Sequence, residues 1–173
     1  YEGLSSKENE LITPPKTNKE TIIKVENELY IATISSLSGG SIKSFEIKEH
    51  LKHDSSFVNL VAPENMKNLL LSFKDFNGNQ IQLDEGWVLQ SKTDNYYIDA
   101  VESITYTNTL NDKRITKVLT FYPDRFLVDI DIDLTAIANN TLANSYTLTW
   151  VGGIPPTEKD SVTESTYFYS YLY

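Results

Sequence analysis

The strongest constraint on the fold of this chain is a run in which apolar and acidic residues alternate strictly. The run is FLVDIDIDL, residues 126–134, in which Phe126, Val128, Ile130, Ile132 and Leu134 alternate with Asp129, Asp131 and Asp133. Side chains of a β-strand point to opposite faces of the sheet in turn, so a period of two predicts one buried apolar face and one solvated acidic face. This run therefore predicts a strand of a half-buried, antiparallel sheet.

The residues just before this run predict its partner strand. The stretch RITKVLTFY places Ile115, Leu119 and Phe121 on one face. Between the two runs, Tyr122-Pro-Asp-Arg125 suits a tight turn, because proline presets its own φ and aspartate bonds to the local backbone. We therefore expect residues 114–134 to form an antiparallel hairpin.

Four further stretches are rich in the residue types that strands favour. They are ETIIKVEN, ELYIATIS, VESITYTNT and SYTLTWV, which begin at residues 20, 28, 101 and 145, and the last alternates through Tyr146, Leu148 and Trp150. The first two are joined at Asn27-Glu28, and Asn77-Gly78 is a strong turn signal. One short helical turn is expected around PENMKNLL, residues 63–70. The predicted class is all-β, built from antiparallel hairpins.

Two of the 7 glycines stand side by side at Gly39-Gly40, between two strand patterns. The next apolar residues, Ile42 and Phe45, are three positions apart, so a regular strand cannot place both on one face. A bulge or sharp bend would resolve this, and glycine supplies the positive φ that such a bend often needs. We expect a strand-to-strand corner here; the alternative is a simple flexible loop.

Residues 1–19 differ from the rest of the chain, since they are polar, contain Pro14-Pro15 and show no period. They are interpreted as a flexible linker, and residues 20–173 as one β-domain. The formal net charge is −9, without a Lys/Arg cluster, which disfavours binding to nucleic acid and to anionic lipid. There is no cysteine, which excludes disulfides, thiol nucleophiles and cysteine zinc sites.

Two groups of residues have the chemistry of metal ligands. His50 and His53 lie beside Glu49 and Asp54, but no third ligand follows at a telling spacing, so we interpret both histidines as solvated surface residues. The three aspartates of residues 129–133 would form a parallel row on a strand, which does not converge on a calcium ion. We expect that acidic row to be solvated and to oppose aggregation, and we expect no catalytic residue, cofactor or metal.

The C-terminal stretch TYFYSYLY has the alternation of a strand. Tyr167, Tyr169, Tyr171 and Tyr173 would line one face, with Phe168 and Leu172 on the other. One interpretation is a core strand covered on both faces, and the other is an aromatic wall that binds a sugar or a peptide. Among possible contact residues, we single out Tyr167, Tyr169 and Tyr171 for a partner, because tyrosine is favoured at half-wet interfaces.

Three stretches in this order, ELYIATISSLSGGSIKSFEIKEH, ITKVLTFYPDRFLVDIDIDL and YTLTWVGGIPPTEKD, resemble the large extracytoplasmic domain of the YidC family of bacterial membrane protein insertases. The resemblance covers roughly residues 20–160, and GGIPPTEKD resembles members from the Bacteroidetes side of the family. It implies a β-supersandwich related to galactose mutarotase, incomplete at the C-terminus here. It also implies a transmembrane helix before the linker.

The resemblance implies a non-catalytic domain that is soluble in the periplasm and belongs to a protein embedded in the bacterial inner membrane. Its partners would be nascent membrane proteins and components of the Sec translocon. The sugar-converting relatives of this fold use His and Glu as acid and base, and those motifs have no match here. Two alternatives stay open: a sugar epimerase-like or carbohydrate-binding supersandwich, and a fragment of a β-sandwich adhesin.

Overall fold

The fold was examined in a computed structural model, which describes residue 12 and residues 19–52, 54–62, 67–91, 93–151, 155 and 156. No helix within these ranges is long and apolar enough to cross a membrane. The predicted linker lies outside the described residues except for Ile12 and Lys19. Ile12 is buried in the hydrophobic core, so this segment supplies at least one core side chain.

The described residues form twelve strands and two short 3-10 helices, and the expected all-β class is confirmed. The strands are β1 (Ile22–Glu26), β2 (Tyr30–Ser35), β3 (Ser41–Leu51), β4 (Phe57–Asn59), β5 (Leu70–Asp75), β6 (Gln80–Gln82), β7 (Val88–Leu89), β8 (Asn95–Tyr97), β9 (Glu102–Leu110), β10 (Lys113–Phe121), β11 (Val128–Asp133) and β12 (Thr141–Thr149). The 3-10 helices are Leu37–Gly39 and Thr135–Asn140. In the segment predicted to contain a helical turn, the described part, residues 67–69, is a turn.

The strands form three sheets. Their orders are β4-β3-β2-β1-β8, β11-β10-β9-β7 and β12-β5-β6. All pairs are antiparallel except one, because β8 runs parallel to β1 and pairs Asn95–Tyr97 with Lys24–Glu26. The sequence analysis expected only antiparallel hairpins and therefore missed this pair. Its two strands are about 70 residues apart in the sequence, so no local turn signal could indicate that they pair.

The first hairpin is held by the side chain of Asn27. Its Oδ1 atom accepts hydrogen bonds from the backbone N–H groups of Leu29 and Tyr30, both at 2.9 Å. Its Nδ2 atom donates to the carbonyl oxygen of Tyr122, also at 2.9 Å. One buried amide therefore closes the β1–β2 turn and ties it to the end of β10, which confirms the joint predicted at this position.

The glycine corner is confirmed. Gly39 and Gly40 have φ values of 66° and 105°, and a bulge follows, because the β2–β3 register leaves Lys43 unpaired between Ile42 and Ser44. A Cβ atom at Gly39 would lie 2.7 Å from the ring of Trp87, and one at Gly40 would lie 2.7 Å from Leu119 Cδ1. The glycines are thus required for backbone conformation and for close packing.

The core is continuous through all three sheets. Residues on the inner faces of β1, β2, β5, β9 and β10 contribute to it. The central side chains are Ile23, Val25, Tyr30, Ala32, Ile34, Leu71, Phe73, Trp87, Ile104, Tyr106, Ile115, Leu119 and Phe121. Burial of each large apolar side chain of this kind favours folding by about 1.5–3 kcal/mol.

The predicted hairpin of β10 and β11 is present, with Leu119 opposite Ile130 and Phe121 opposite Val128. Asp129, Asp131 and Asp133 are exposed on the outer face, as expected. The strand is shorter than the sequence pattern, because Phe126 lies in the loop before it and Leu134 precedes the second 3-10 helix. Alternation alone does not mark where hydrogen bonding to β10 begins.

Candidate functional site

The apolar core is incompletely covered along β11. Its inner-face residues Val128, Ile130 and Ile132 pack against the core but stay half-buried. Their neighbours on β10, in contrast, are fully buried, including Leu119 and Phe121. The inner surface of the four-stranded sheet therefore becomes accessible at its edge.

Burial of the inner face also decreases at β12, the edge strand of the three-stranded sheet. Tyr146 pairs with Phe73 and Leu148 pairs with Leu71, so these four side chains lie on one face. Phe73 and Leu71 are buried, whereas Tyr146 is 52% exposed and Leu148 is 38% exposed. Trp150, just beyond the strand, is also exposed. Large apolar side chains on β12 are therefore left uncovered by the described residues.

A groove of about 260 Å³ lies where β11 and β12 approach the 3-10 helix that connects them. It is lined by Ile132, Asp133, Leu134, Thr135, Ala138, Thr141, Ser145 and Tyr146. The same 3-10 helix contains Ile137, whose side chain is fully buried in the core. We call this region, with the adjoining inner faces of the two edge strands, the β11–β12 groove. An apolar patch of this kind next to a polar surface is typical of a protein contact site.

One side of the groove is bordered by the acidic row. The phenol of Tyr122 donates a hydrogen bond to Asp129, which raises the pKa of Tyr122. The backbone N–H of Thr135 donates to Asp133 at 2.9 Å, and hydrogen bonds from Thr135 lower the pKa of Asp133. The side-chain carboxylate of Asp131, between them, has no hydrogen-bond or ion-pair partner in the described part of the chain. The row thus offers a free carboxylate on the outer face of β11.

A buried lysine lies on the core face of β10. Lys117 is 0% exposed, and its Nζ atom donates to the carbonyl oxygens of Ser38 at 2.6 Å and Leu69 at 2.7 Å. It also lies 5.3 Å from the ring centroid of Trp87. Burial lowers the pKa of Lys117 to about 7. These two hydrogen bonds connect a 3-10 helix and a turn to the sheet through one side chain.

The residues singled out as candidates in the sequence are not brought together by the described structure. Tyr167, Tyr169 and Tyr171 lie outside the described residues, and so does His53. His50 and Glu49 are exposed near the end of β3. Within the described ranges, no three His, Cys, Asp or Glu side chains are grouped so as to hold a metal ion.

The sequence analysis missed both Lys117 and the β11–β12 groove. Lys117 has the same parity in the sequence as Ile115, Leu119 and Phe121, so the pattern already placed a charged residue on the core face. That signal was available. The groove could not be predicted from the sequence pattern. Tyr146 and Leu148 have the alternation of a covered strand, and only the tertiary structure shows that they are exposed.

Comparison with known proteins identifies the family. The model of the YidC periplasmic domain family matches residues 22–173. Among curated proteins, the membrane protein insertase YidC of Chlorobaculum tepidum is 31% identical over 150 residues, which cover 84% of this chain and 25% of that protein. The protein of the same name from Chlorobium limicola is 31% identical over 153 residues, covering 86% of this chain and 26% of that protein.

A third relative, membrane protein insertase YidC of Chlorobaculum parvum, is 29% identical over 153 residues, with coverage of 86% and 26%. The chain thus spans about a quarter of the length of these relatives. No solved structure matches it. The expected location in the periplasm, as part of an inner-membrane protein, is confirmed by the family match. Because that match extends over residues 22–173, the chain belongs to the family of YidC periplasmic domains.

Proposed function

We propose that this chain is the periplasmic domain of a membrane protein insertase, and that it assists the insertion and folding of inner-membrane proteins without an enzymatic reaction of its own. The observation that carries the proposal is the family match over residues 22–173. It is supported by the relatives, which bear the name membrane protein insertase over the same part of the chain. Nascent membrane proteins and components of the Sec translocon are the proposed partners.

The β11–β12 groove is the proposed contact surface among the described residues. Its exposed apolar side chains, such as Tyr146 and Leu148, suit a segment of a membrane protein that has not yet reached the bilayer. The adjacent acidic row and the net charge of −9 disfavour anionic lipid headgroups. The chemistry of the surface therefore favours an apolar protein segment over the membrane itself.

Tyr167, Tyr169 and Tyr171 are proposed as further contact residues for the same partners, since tyrosine combines a large apolar ring with a polar hydroxyl. We also propose that residues 20–173 form the domain and residues 1–19 the linker that connects it to a transmembrane helix, with Ile12 as a linker side chain that packs into the core of the domain. The start of the family match at residue 22 supports this division.

The proposal can be tested by photo-cross-linking in the full-length protein, in membrane vesicles that are inserting a radiolabelled inner-membrane protein. A photoreactive amino acid replaces Tyr146 in the groove or, as a control, Leu51, which is 59% exposed in β3 of another sheet. We expect labelled adducts with the nascent protein from position 146 and few from position 51. Equal yields at the two positions, or none from position 146, would contradict the proposed surface.

A further inference from the structure

Four large apolar side chains of the described residues are exposed at one end of the domain. They are Tyr97, Val101, Phe126 and Leu127, each between 48% and 59% exposed. Tyr97 ends β8, Val101 immediately precedes β9, and the other two immediately precede β11. We call these four residues the end patch. Because they come from three separate segments, only the tertiary fold brings them together.

Backbone pairing ties the first of these segments to the β1–β2 turn. Tyr97 pairs with Glu26 at the end of β1, and the N–H of Ile98 donates to the carbonyl oxygen of Glu26 at 2.7 Å. Asn27, the next residue of the turn, donates through its side chain to the carbonyl oxygen of Tyr122, just beyond β10. The ends of β8 and β10 therefore lie beside the same turn.

The other residues of the end patch adjoin the same end of β10. Val101 precedes Glu102, which pairs with Phe121, the last residue of β10. The ring centroid of Phe126 lies 6.2 Å from that of Tyr30, at the start of β2. The end patch is thus built on the ends of paired strands, so a partner meets a preformed surface that needs little ordering on binding.

Carboxylates surround the end patch. The phenol of Tyr97 donates a hydrogen bond to Glu28, which raises the pKa of Tyr97, and the nearby charges of Glu26 and Asp99 raise it further. Glu102 adds a fourth carboxylate at the start of β9. The apolar side chains of this end therefore lie next to several negative charges.

Three cations of the same segments are already paired with other carboxylates. Lys24 and Lys48 both form ion pairs with Glu26. The Nε atom of Arg125 lies 3.2 Å from Oδ1 of Asp124. These cations are therefore engaged away from the carboxylates that follow β8.

Asp99 and Glu102, in contrast, keep their negative charge uncompensated. Both residues are exposed, and their side-chain carboxylates have no ion-pair partner in the part of the chain that the structure describes. They lie on either side of Val101 in the sequence, next to the exposed apolar surface. The end patch thus has a negative border that its own domain does not neutralise.

We propose that the end patch binds a protein segment that combines apolar side chains with lysine or arginine. The apolar side chains of the partner cover Val101 and Phe126, and its cations lie against Asp99 and Glu102. An apolar surface bordered by polar groups is typical of protein contact sites, and charge complementarity selects the partner. The end patch lies at the opposite end of β11 from the pocket of the β11–β12 groove, so the inference does not depend on what the groove binds.

The border of carboxylates disfavours other occupants of the end patch. It repels nucleic acid and anionic lipid headgroups. A second copy of this chain, related by a twofold axis, would bring its own Asp99 and Glu102 close to the same residues of the first copy. Like charges placed together across an interface are unfavourable. A cationic, apolar protein segment matches both the surface and its border.

The test measures the binding of labelled synthetic peptides to the chain by fluorescence anisotropy. One peptide contains only leucine and lysine, the second has glutamate in place of lysine, and the third has serine in place of leucine. We expect the leucine–lysine peptide to bind, with an affinity that falls as salt is added. The other two should bind at least about tenfold more weakly. Absence of binding, or equal affinity for the glutamate peptide, would overturn the proposal.

The charge contribution is located by Asp99→Asn combined with Glu102→Gln. We expect this double variant to bind the leucine–lysine peptide about fivefold more weakly than the unmodified chain. Its matched control is Asp112→Asn combined with Asp131→Asn, which makes the same change in net charge at two exposed sites outside the end patch. An equal loss of affinity in the control would assign the binding to net charge and overturn the proposal.

The apolar contribution is located by Val101→Ser, with Leu51→Ser as its control, because both side chains are 59% exposed. We expect a loss of about fivefold in affinity for Val101→Ser and less than about twofold for Leu51→Ser. A loss in Tyr146→Ser without a loss in Val101→Ser would place the peptide in the β11–β12 groove. That result would overturn the end patch and leave the proposed function standing.

Vesicles of phosphatidylcholine distinguish a protein partner from the membrane itself. We expect no co-sedimentation of the unmodified chain with these vesicles, because the charges that border the end patch would have to approach a surface without net charge. Co-sedimentation that disappears with Val101→Ser would assign the end patch to a lipid surface and overturn the proposal.

Discussion

The ammonium group of Lys117 lies 2.6 Å from the carbonyl oxygen of Ser38, inside the core and beneath the glycine corner. A second carbonyl, that of Leu69, accepts from the same nitrogen at 2.7 Å. The carbonyl groups belong to a 3-10 helix and to a turn, neither of which is sequence-adjacent to β10. One side chain therefore joins two loops to the central strand of the fold.

Replacing Lys117 by methionine keeps an unbranched side chain that is shorter by one heavy atom, and it removes both hydrogen bonds. We expect Lys117→Met to lower the free energy of unfolding by about 1–3 kcal/mol, because two buried carbonyl oxygens lose their donor. The measurement is a denaturant melt, with Lys74→Met as the control, since Lys74 is exposed on β5. Equal stabilities of the two variants would show that the buried hydrogen bonds contribute little.

The low pKa of Lys117 predicts a dependence of stability on pH. Burial lowers this pKa from 10.5 to about 7, so between these values the unfolded state binds more protons than the folded state. The free energy of unfolding should therefore rise as the pH increases from about 7 towards about 9.5. Below that range the lysine is protonated in both states and contributes no slope.

The variant Lys117→Met isolates this effect, because its stability should change less over the same pH range. Measurements should stay below about pH 9.5, since burial raises the pKa of Tyr30 to about 12 and the ionisation of unfolded tyrosine then opposes the trend. An identical slope in Lys117→Met and in the unmodified protein would assign the pH dependence to other groups.

The glycine corner allows backbone strain to be separated from steric overlap. Gly78 has a φ of 82° and open space around it, so Gly78→Ala should cost about 1–2 kcal/mol of stability from backbone conformation alone. Gly40→Ala adds overlap with Leu119, and we expect a cost of about 2–5 kcal/mol. Denaturant melts of both variants give the comparison.

The same reasoning applies to Gly39→Ala, whose Cβ would meet Trp87. Ser41, the neighbouring residue, is not a neutral control for this corner, because it is buried and its hydroxyl donates to Asn68 at 3.1 Å. If Gly39→Ala and Gly40→Ala cost no more than Gly78→Ala, the packing at the corner adjusts without penalty.

Asn68 serves as a partner for the backbone of Ile42 next to the bulge. It donates to the Ile42 carbonyl oxygen at 2.6 Å and accepts from the Ile42 N–H at 2.7 Å. We expect Asn68→Leu to destabilise the protein by about 2–4 kcal/mol, because both buried groups lose their partner. Asn68→Asp retains the acceptor and should show whether the N–H bond alone restores part of the loss.

We predict that the domain lacks the sugar-converting activity that occurs in galactose mutarotase, to which the resemblance would relate its fold. His50 is exposed near the end of β3, and His53 lies outside the described residues. We expect no measurable mutarotase activity on common aldoses, as followed by polarimetry. Anomer interconversion that depends on the protein and disappears with His50→Ala or His53→Ala would contradict this expectation.

Local sequence signals predicted much of the sheet structure because each depends on residues close in the chain. The β10–β11 hairpin follows from the alternation of residues 126–134 and the turn at Pro123. The corner follows from Gly39-Gly40 and from the three-residue spacing of Ile42 and Phe45. Features of this kind can be predicted without knowing which distant residues are in contact.

The parallel β1–β8 pair and the incomplete cover of β11 and β12 depend on distant parts of the chain. Tyr146 and Leu148 have the pattern of a buried strand face, yet no described element covers them. Periodicity reports which side chains share a face, but whether that face is covered is decided by which strands lie opposite it.

The sequence by itself determined the all-β class, the acidic outer face of β11, the glycine corner and the resemblance that led to the family. These depend on the period of two, on the conformational freedom of glycine and on the order of short motifs. The parity of Lys117 places it on the core face, but only the tertiary structure decided that its charge is satisfied by the carbonyls of Ser38 and Leu69. A lysine is assigned to the core only when distant loops supply acceptors, because a buried amine without them would cost several kcal/mol.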